Sequence, residues 1–88
     1  MIGLDRKFAQ IDALKKLGFT IHQCWILQFC LDWYAIDHQD VKERYLSIHA
    51  LRKLKKGGHL VKIAATKYEP AHFVISESTM KMINEGLN

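Results

Sequence analysis

Proline occurs once, cysteine twice, and no acidic residue stands between Arg44 and Glu69 of this 88-residue chain. A lone proline, Pro70, with no low-complexity tract leaves no place for a polyproline segment or an interdomain linker. Cys24 and Cys30 are six apart and lack CxxC spacing, so neither a disulfide framework nor a zinc ribbon is expected, and both thiols should be reduced and buried. Long hydrophobic runs are also missing. The most apolar stretch, CWILQFCLDWYAI (24–36), is interrupted by Gln28 and Asp32 and is shorter than the roughly 20 residues that cross a bilayer. The opening MIGLDRKFAQ carries charge where a signal peptide would be apolar, and the expected location is the cytoplasm. No carboxylate pair, glycine-rich phosphate loop or nucleophile elbow is found, so enzymatic activity is not expected. Five histidines (His22, His38, His49, His59 and His72) form no HxxxH or Cys-His ligand pair, so no metal or other cofactor is expected, and no small-molecule ligand is evident.

What the chain does have is a folded composition, with 49% hydrophobic and 25% charged residues. Its length suits one domain, 1–88, with one modest core. The formal charge of +4 is concentrated in one segment. From Met1 to Arg44 six cations face six acids, whereas Arg52, Lys53, Lys55, Lys56, Lys62 and Lys67 follow with no acid among them. A basic segment inside an otherwise balanced domain points to a polyanionic partner.

Helical spacing of Leu4, Phe8, Ile11 and Leu14, ended by Gly18, predicts a first helix over about 4–17. Thr20 and Gln23 form a capping-box pattern that opens a second, over about 20–34. That helix is apolar nearly all round: Cys24, Leu27, Leu31 and Tyr34 take one side, Trp25, Phe29, Trp33, Ile26 and Cys30 the other. Aromatics at this spacing are expected mainly in the core, with Trp25, Phe29 and Trp33 as a possible homodimer surface. Asp37 caps a short third helix, about 38–45, which contributes Val41 and Tyr45 to the core. Ser47 caps a fourth over about 48–56, with Ile48, Ala50, Leu51 and Leu54 on one arc and His49, Arg52, Lys53 and Lys56 opposite. Gly57 and Gly58 stop it, one of them in the left-handed conformation. HLVKIAATKY and AHFVIS then read as a hairpin with its tip near Tyr68 and Glu69, which places His72 opposite Ala65. Ser76 caps a last helix, about 77–86, carrying Met80, Ile83 and Leu87. The expected fold is mainly α with a small β-hairpin, in the order H-H-H-H-β-β-H.

A helix, a tight turn, a basic helix and a hairpin have the layout of a helix-turn-helix (about 38–57) followed by a wing (about 59–76). LRKLKKGGHLVK (51–62) resembles the end of the recognition helix and the start of the wing in winged-helix regulators of the MarR and ArsR kinds. FTIHQCWIL (19–27) is similar to the opening of the MarR-type core helix, and VISESTMKMI (74–83) to the exit after the wing. Lys42 departs from the pattern, at a place where such regulators usually keep a small buried alanine.

This resemblance implies a small transcriptional regulator that binds double-stranded DNA, associated with the nucleoid when bound. Ser47, His49, Arg52 and Lys53 would lie near the bases of the major groove, and Lys55, Lys56, Lys62 and Lys67 on phosphates. The competing expectation is a winged-helix interaction module whose basic face meets an acidic protein. RNA is disfavoured because the hairpin is expected to offer no exposed aromatic platform.

Overall fold

The computed structural model describes residues 2–87, with side-chain burial described over 6–86; the placements expected for Leu4 and Leu87 lie outside that range. Five helices and one hairpin follow in the order α1 (Ile2–Lys16), α2 (Ile21–Trp33), α3 (His38–Glu43), α4 (Ile48–Lys56), β1 (Leu60–Ile63), β2 (His72–Ile75) and α5 (Glu77–Leu87). No described helix is long and apolar enough to cross a membrane.

The helix starts are local chemistry. Thr20 and Gln23 close the capping box of α2: the Gln23 N–H donates to Thr20 Oγ1 at 3.3 Å, and the Thr20 N–H to Gln23 Oε1 at 2.9 Å. Asp37 and Asp40 make the same exchange at α3, at 2.7 and 2.9 Å, with Asp40 also meeting the positive end of the helix dipole. Ser47 accepts the Ala50 N–H at 3.1 Å, and Ser76 accepts the Thr79 N–H at 3.4 Å.

Three helix ends share one closing pattern. After α1, the Phe19 N–H reaches back to Leu14 O and the Gly18 N–H to Lys15 O; Gly18 takes the required left-handed turn, at φ 104°. After α4, His59 bonds Leu54 O and Gly58 bonds Lys55 O, with Gly58 at φ 79°. After α3 the same pair of bonds runs from Leu46 to Val41 O and from Tyr45 to Lys42 O. These are Schellman closures, in which the residue past the turn packs back on the helix. At the third, a tyrosine rather than a glycine holds the left-handed position, at φ 54°.

That closure corrects the expected extent of the third helix. It ends at Glu43, and Tyr45 is 96% exposed instead of belonging to the core, because the turn throws its side chain outward while Leu46 packs inward. Tyr34, expected on a buried side of the second helix, is likewise exposed: its φ of 75° ends α2 and breaks the helical phase. Phe8 is exposed as well. At 100° per residue it stands about 120° from Leu14 on the wheel, so the buried sector of α1 holds Ile11 and Leu14 and leaves Phe8 outside.

The core gathers Ile11, Leu14 and Phe19 from the first hairpin of helices, Cys24, Ile26, Leu27 and Cys30 from α2, Ala50, Leu51 and Leu54 from α4, and Leu60, Phe73, Ile75 and Ile83 from the hairpin and α5. Ile36, between α2 and α3, exchanges backbone hydrogen bonds with Phe73 at 3.0 and 2.7 Å, which adds a third short rung beside β2. Gln28 is buried at the α1–α2 seam, where its amide nitrogen donates to Gln10 and Asp32. His59 joins the hairpin to α5 through Thr79 Oγ1, 2.9 Å from its Nδ1, with Phe19 edge-on to its ring.

Cys24 and Cys30 are both free and buried, as expected. Burial pushes the Cys30 thiol up to about 12, helped by the negative charge of Asp40. Burial also raises Cys24, against an opposing pull from Lys15. The unfolded chain therefore loses the Cys30 proton first as pH rises. Stability tied to this group is intact below the ordinary thiol range and declines from there toward about pH 12. At pH 7.5 neither thiol should react with a disulfide reagent on the timescale of minutes, and both should react once the chain is denatured; a colorimetric thiol titration checks this.

Candidate nucleic-acid interface

Helix α4 is the most sharply two-sided element. Ala50, Leu51 and Leu54 are buried and Ile48 half-buried, while His49, Arg52, Lys53, Lys55 and Lys56 are exposed. At 100° per residue Arg52, Lys56, His49 and Lys53 span an arc of about 100°, and Lys55 lies off it toward Ile48. No acid interrupts this surface in sequence, and no ion pair to it occurs among the described residues. Among the described residues the one ion pair is Lys7 to Asp32, at 3.4 Å, far along the chain from the basic segment.

Ser47 is half-buried, and its oxygen is already engaged in capping. Two substitutions test that role. Ser47→Ala should cost about 1 kcal/mol, or about 4–8 °C in Tm. Ser47→Asp should keep the cap and the Tm. Thermal melting of the two variants distinguishes them.

The hairpin carries the basic segment past Gly58 in sequence, with Lys62 and Lys67 both exposed. β1 and β2 are antiparallel, with Leu60 opposite Ile75, Lys62 opposite Phe73 and Ile63 opposite His72. His72 therefore faces Ile63, not Ala65 as expected; β1 ends at Ile63, five residues before the sequence run does, and an eight-residue loop, 64–71, connects the strands. Alternation along β1 puts Lys62 on the same face as buried Leu60, at the core margin beside α4, and Val61 and Ile63 on the opposite, exposed face.

The loop tip is ordered by Thr66. Its hydroxyl oxygen accepts the N–H groups of Tyr68 and Glu69 at 3.2 and 3.1 Å, and its own N–H donates to Glu69 O. Lys67 and Tyr68 project from that tip, with the Lys67 ammonium 6.0 Å from the Tyr68 ring centre. The expectation of a hairpin without an exposed aromatic is thus overturned: Tyr68 is 88% exposed, since the loop carries it clear of the core. Composition alone could have flagged a tyrosine in a hairpin tip.

The aromatic set on α2 also departs from its expected place. Trp25 and Trp33 are 39% and 66% exposed and Phe29 is half-buried, because α1 and α4 cover the other sides of α2 and leave this one open. Ile26 and Cys30, grouped with them on the wheel, are buried. Arg44 lies 5.8 Å from the Phe29 ring centre. Lys42 is exposed, so its departure from the regulator pattern buries no charge; the inward residue of α3 is Val41. No cluster of three or more potential metal ligands occurs among the described residues. Set against family models, curated proteins and solved structures, the chain matches none of them.

Proposed function

We propose that this chain binds double-stranded DNA as a winged helix, with α4 in the major groove and the β1–β2 hairpin along the backbone. The observation that carries the reading is the run of six exposed cations, Arg52, Lys53, Lys55, Lys56, Lys62 and Lys67, on one short helix and the ribbon it leads into, with no ion pair to any of them among the described residues. An α-helix fits the major groove, where His49, Arg52 and Lys53 can address base edges and the remaining lysines neutralise phosphates. Ile36 pairing with Phe73 supports the same layout, since it braces the ribbon against the segment that leads into α3. A small transcriptional regulator is the role such a surface suits.

The competing role is capture of an acidic protein by the same face. A labelled random-sequence duplex, mixed with the protein at 50 mM salt, decides between them when polyglutamate and single-stranded RNA are added as competitors. Binding to the duplex that unlabelled duplex reverses, and that polyglutamate of equal charge does not, supports the DNA reading. Absence of duplex binding at that salt, or displacement by polyglutamate at equal charge, overturns it. Preference for RNA would overturn it as well and point to Tyr68.

A further inference from the structure

Three helix ends meet beside α5: the close of α1, the first turn of α2 and the close of α4. Between them lies an open groove of about 520 Å³, a size within the roughly 300–1,000 Å³ of small-molecule sites. Leu17 and Met82, both half-buried, give it an apolar side, and Phe19 lies buried beneath. Each polar side chain that lines it has a donor to offer, and none of them is a carboxylate. Lys53 and Lys56 are exposed, with no ion pair among the described residues. Gln23 spends its amide oxygen on the Thr20 N–H of the capping box, which leaves its NH2 group. The Nδ1 of His59 is 2.9 Å from Thr79 Oγ1, which leaves Nε2; that nitrogen donates when Thr79 gives its own proton to Nδ1, or when the ring is doubly protonated.

Gly57 keeps that edge of the ring open. Its backbone is right-handed, at φ −78° and ψ −1°, so no left-handed turn demands a glycine there. A Cβ at this position would stand 3.1 Å from His59 Cδ2 and 3.4 Å from Nε2.

We propose that this groove binds a small aliphatic carboxylate, its head among Lys53, Lys56, Gln23 and His59 and its chain along Leu17 and Met82. Charge selects the head: the donors have no acceptor side chain among them, and the first turn of α2, whose dipole is positive at that end, holds no acid. The last carbonyls of α4 do not oppose it, since Gly57 and His59 already donate to Lys53 O and Leu54 O. The apolar side selects the body. An inorganic anion would leave Leu17 and Met82 wet, and a neutral hydrocarbon would leave the donors unanswered. Phe19 is 8% exposed and edge-on to His59, so it offers no ring face to an aromatic ligand. Lys53 and Lys56 also belong to the basic arc of α4, so a bound carboxylate takes two cations offered to a duplex; that consequence rests on the duplex reading, whereas the site does not.

Hexanoate, added to the isotopically labelled full chain without DNA and followed by the backbone amide resonances, tests the site. The amides of Gln23, Gly57 and Met82 should shift along one saturable curve with a Kd on the order of 1 mM or tighter. Acetate and 1-hexanol, which carry the head or the body alone, should bind at least about tenfold more weakly. Gln23→Glu keeps the capping box, because glutamate serves there as glutamine does, and should weaken hexanoate at least about tenfold with unchanged circular dichroism. Lys56→Gln, at an exposed position, should weaken it about threefold. No saturable shift at these amides up to about 20 mM, equal binding of 1-hexanol, or an affinity that Gln23→Glu leaves unchanged overturns the proposal. Because no duplex is present, a failure of DNA binding leaves this result standing, and the reverse holds.

Discussion

Arg52→Ala combined with Lys53→Ala should lower affinity for a preferred duplex about 30-fold or more and bring it close to affinity for random sequence. Each side chain that reads a base edge is worth about 1–3 kcal/mol of discrimination, and both groups stand on the outward arc of α4 with no internal partner among the described residues. Removing them leaves the fold intact, since exposed positions away from caps and core change stability by about 0.5 kcal/mol or less. Lys62→Ala with Lys67→Ala should behave differently: binding weakens to a similar degree on every sequence, and the salt dependence becomes shallower by about two. Anisotropy titrations of a selected and a random duplex, at two salt concentrations, read both effects. Equal losses from the two pairs on both duplexes would mean that α4 touches only the backbone.

Leu54→Ala should cost about 2–5 kcal/mol and lower Tm by about 10–30 °C. Leu54 is fully buried beneath the basic arc, and its carbonyl also accepts the His59 N–H that closes the helix and starts the hairpin. Truncation leaves a cavity where α4 packs on α2 and β1. The loss is large against the 5–15 kcal/mol that holds a typical domain together. Duplex binding should survive at 10 °C and vanish near the lowered Tm, because every charged group remains. Scanning calorimetry measures the shift; a Tm within about 3 °C of the unchanged protein would remove Leu54 from its place under the ridge.

The parts of the fold written in short-range chemistry could be read from the sequence. Ser47, Gly57 and Gly58 set the limits of α4, and the alternation of Leu51 and Leu54 with Arg52 and Lys53 set its faces, because a cap, a left-handed glycine and a 3.6-residue period are each decided within one or two turns. The order of elements followed from the same signals.

What could not be read depends on partners distant in sequence. Tyr34 and Tyr45 hold backbone conformations that local preference reserves for glycine or asparagine, and Tyr45 does so because Leu46 must return to Val41. Gln28 looked like an interruption of an apolar run, yet it is a buried hydrogen-bonding centre once Gln10 and Asp32 close on it. The Ile36–Phe73 pairing links residues 37 positions apart and leaves no periodic trace. The hairpin register is not legible in the sequence because an eight-residue connection lacks the two-residue turn that would fix it. Periodicity marked Trp25, Phe29 and Trp33 as apolar but carries no information about what covers them. For the interface, the arc on α4 was legible whereas the face occupied by Lys62 required the register.

The proposed duplex surface consists of six uncompensated cations on α4 and the hairpin. Its most direct test is the affinity of the unmodified chain for a random duplex as a function of salt. With five or six phosphates neutralised, a plot of log affinity against log salt should be linear with a slope of roughly −4.5 to −5.4 per chain. A slope of −1 or shallower, or no measurable binding at 50 mM salt, would contradict it.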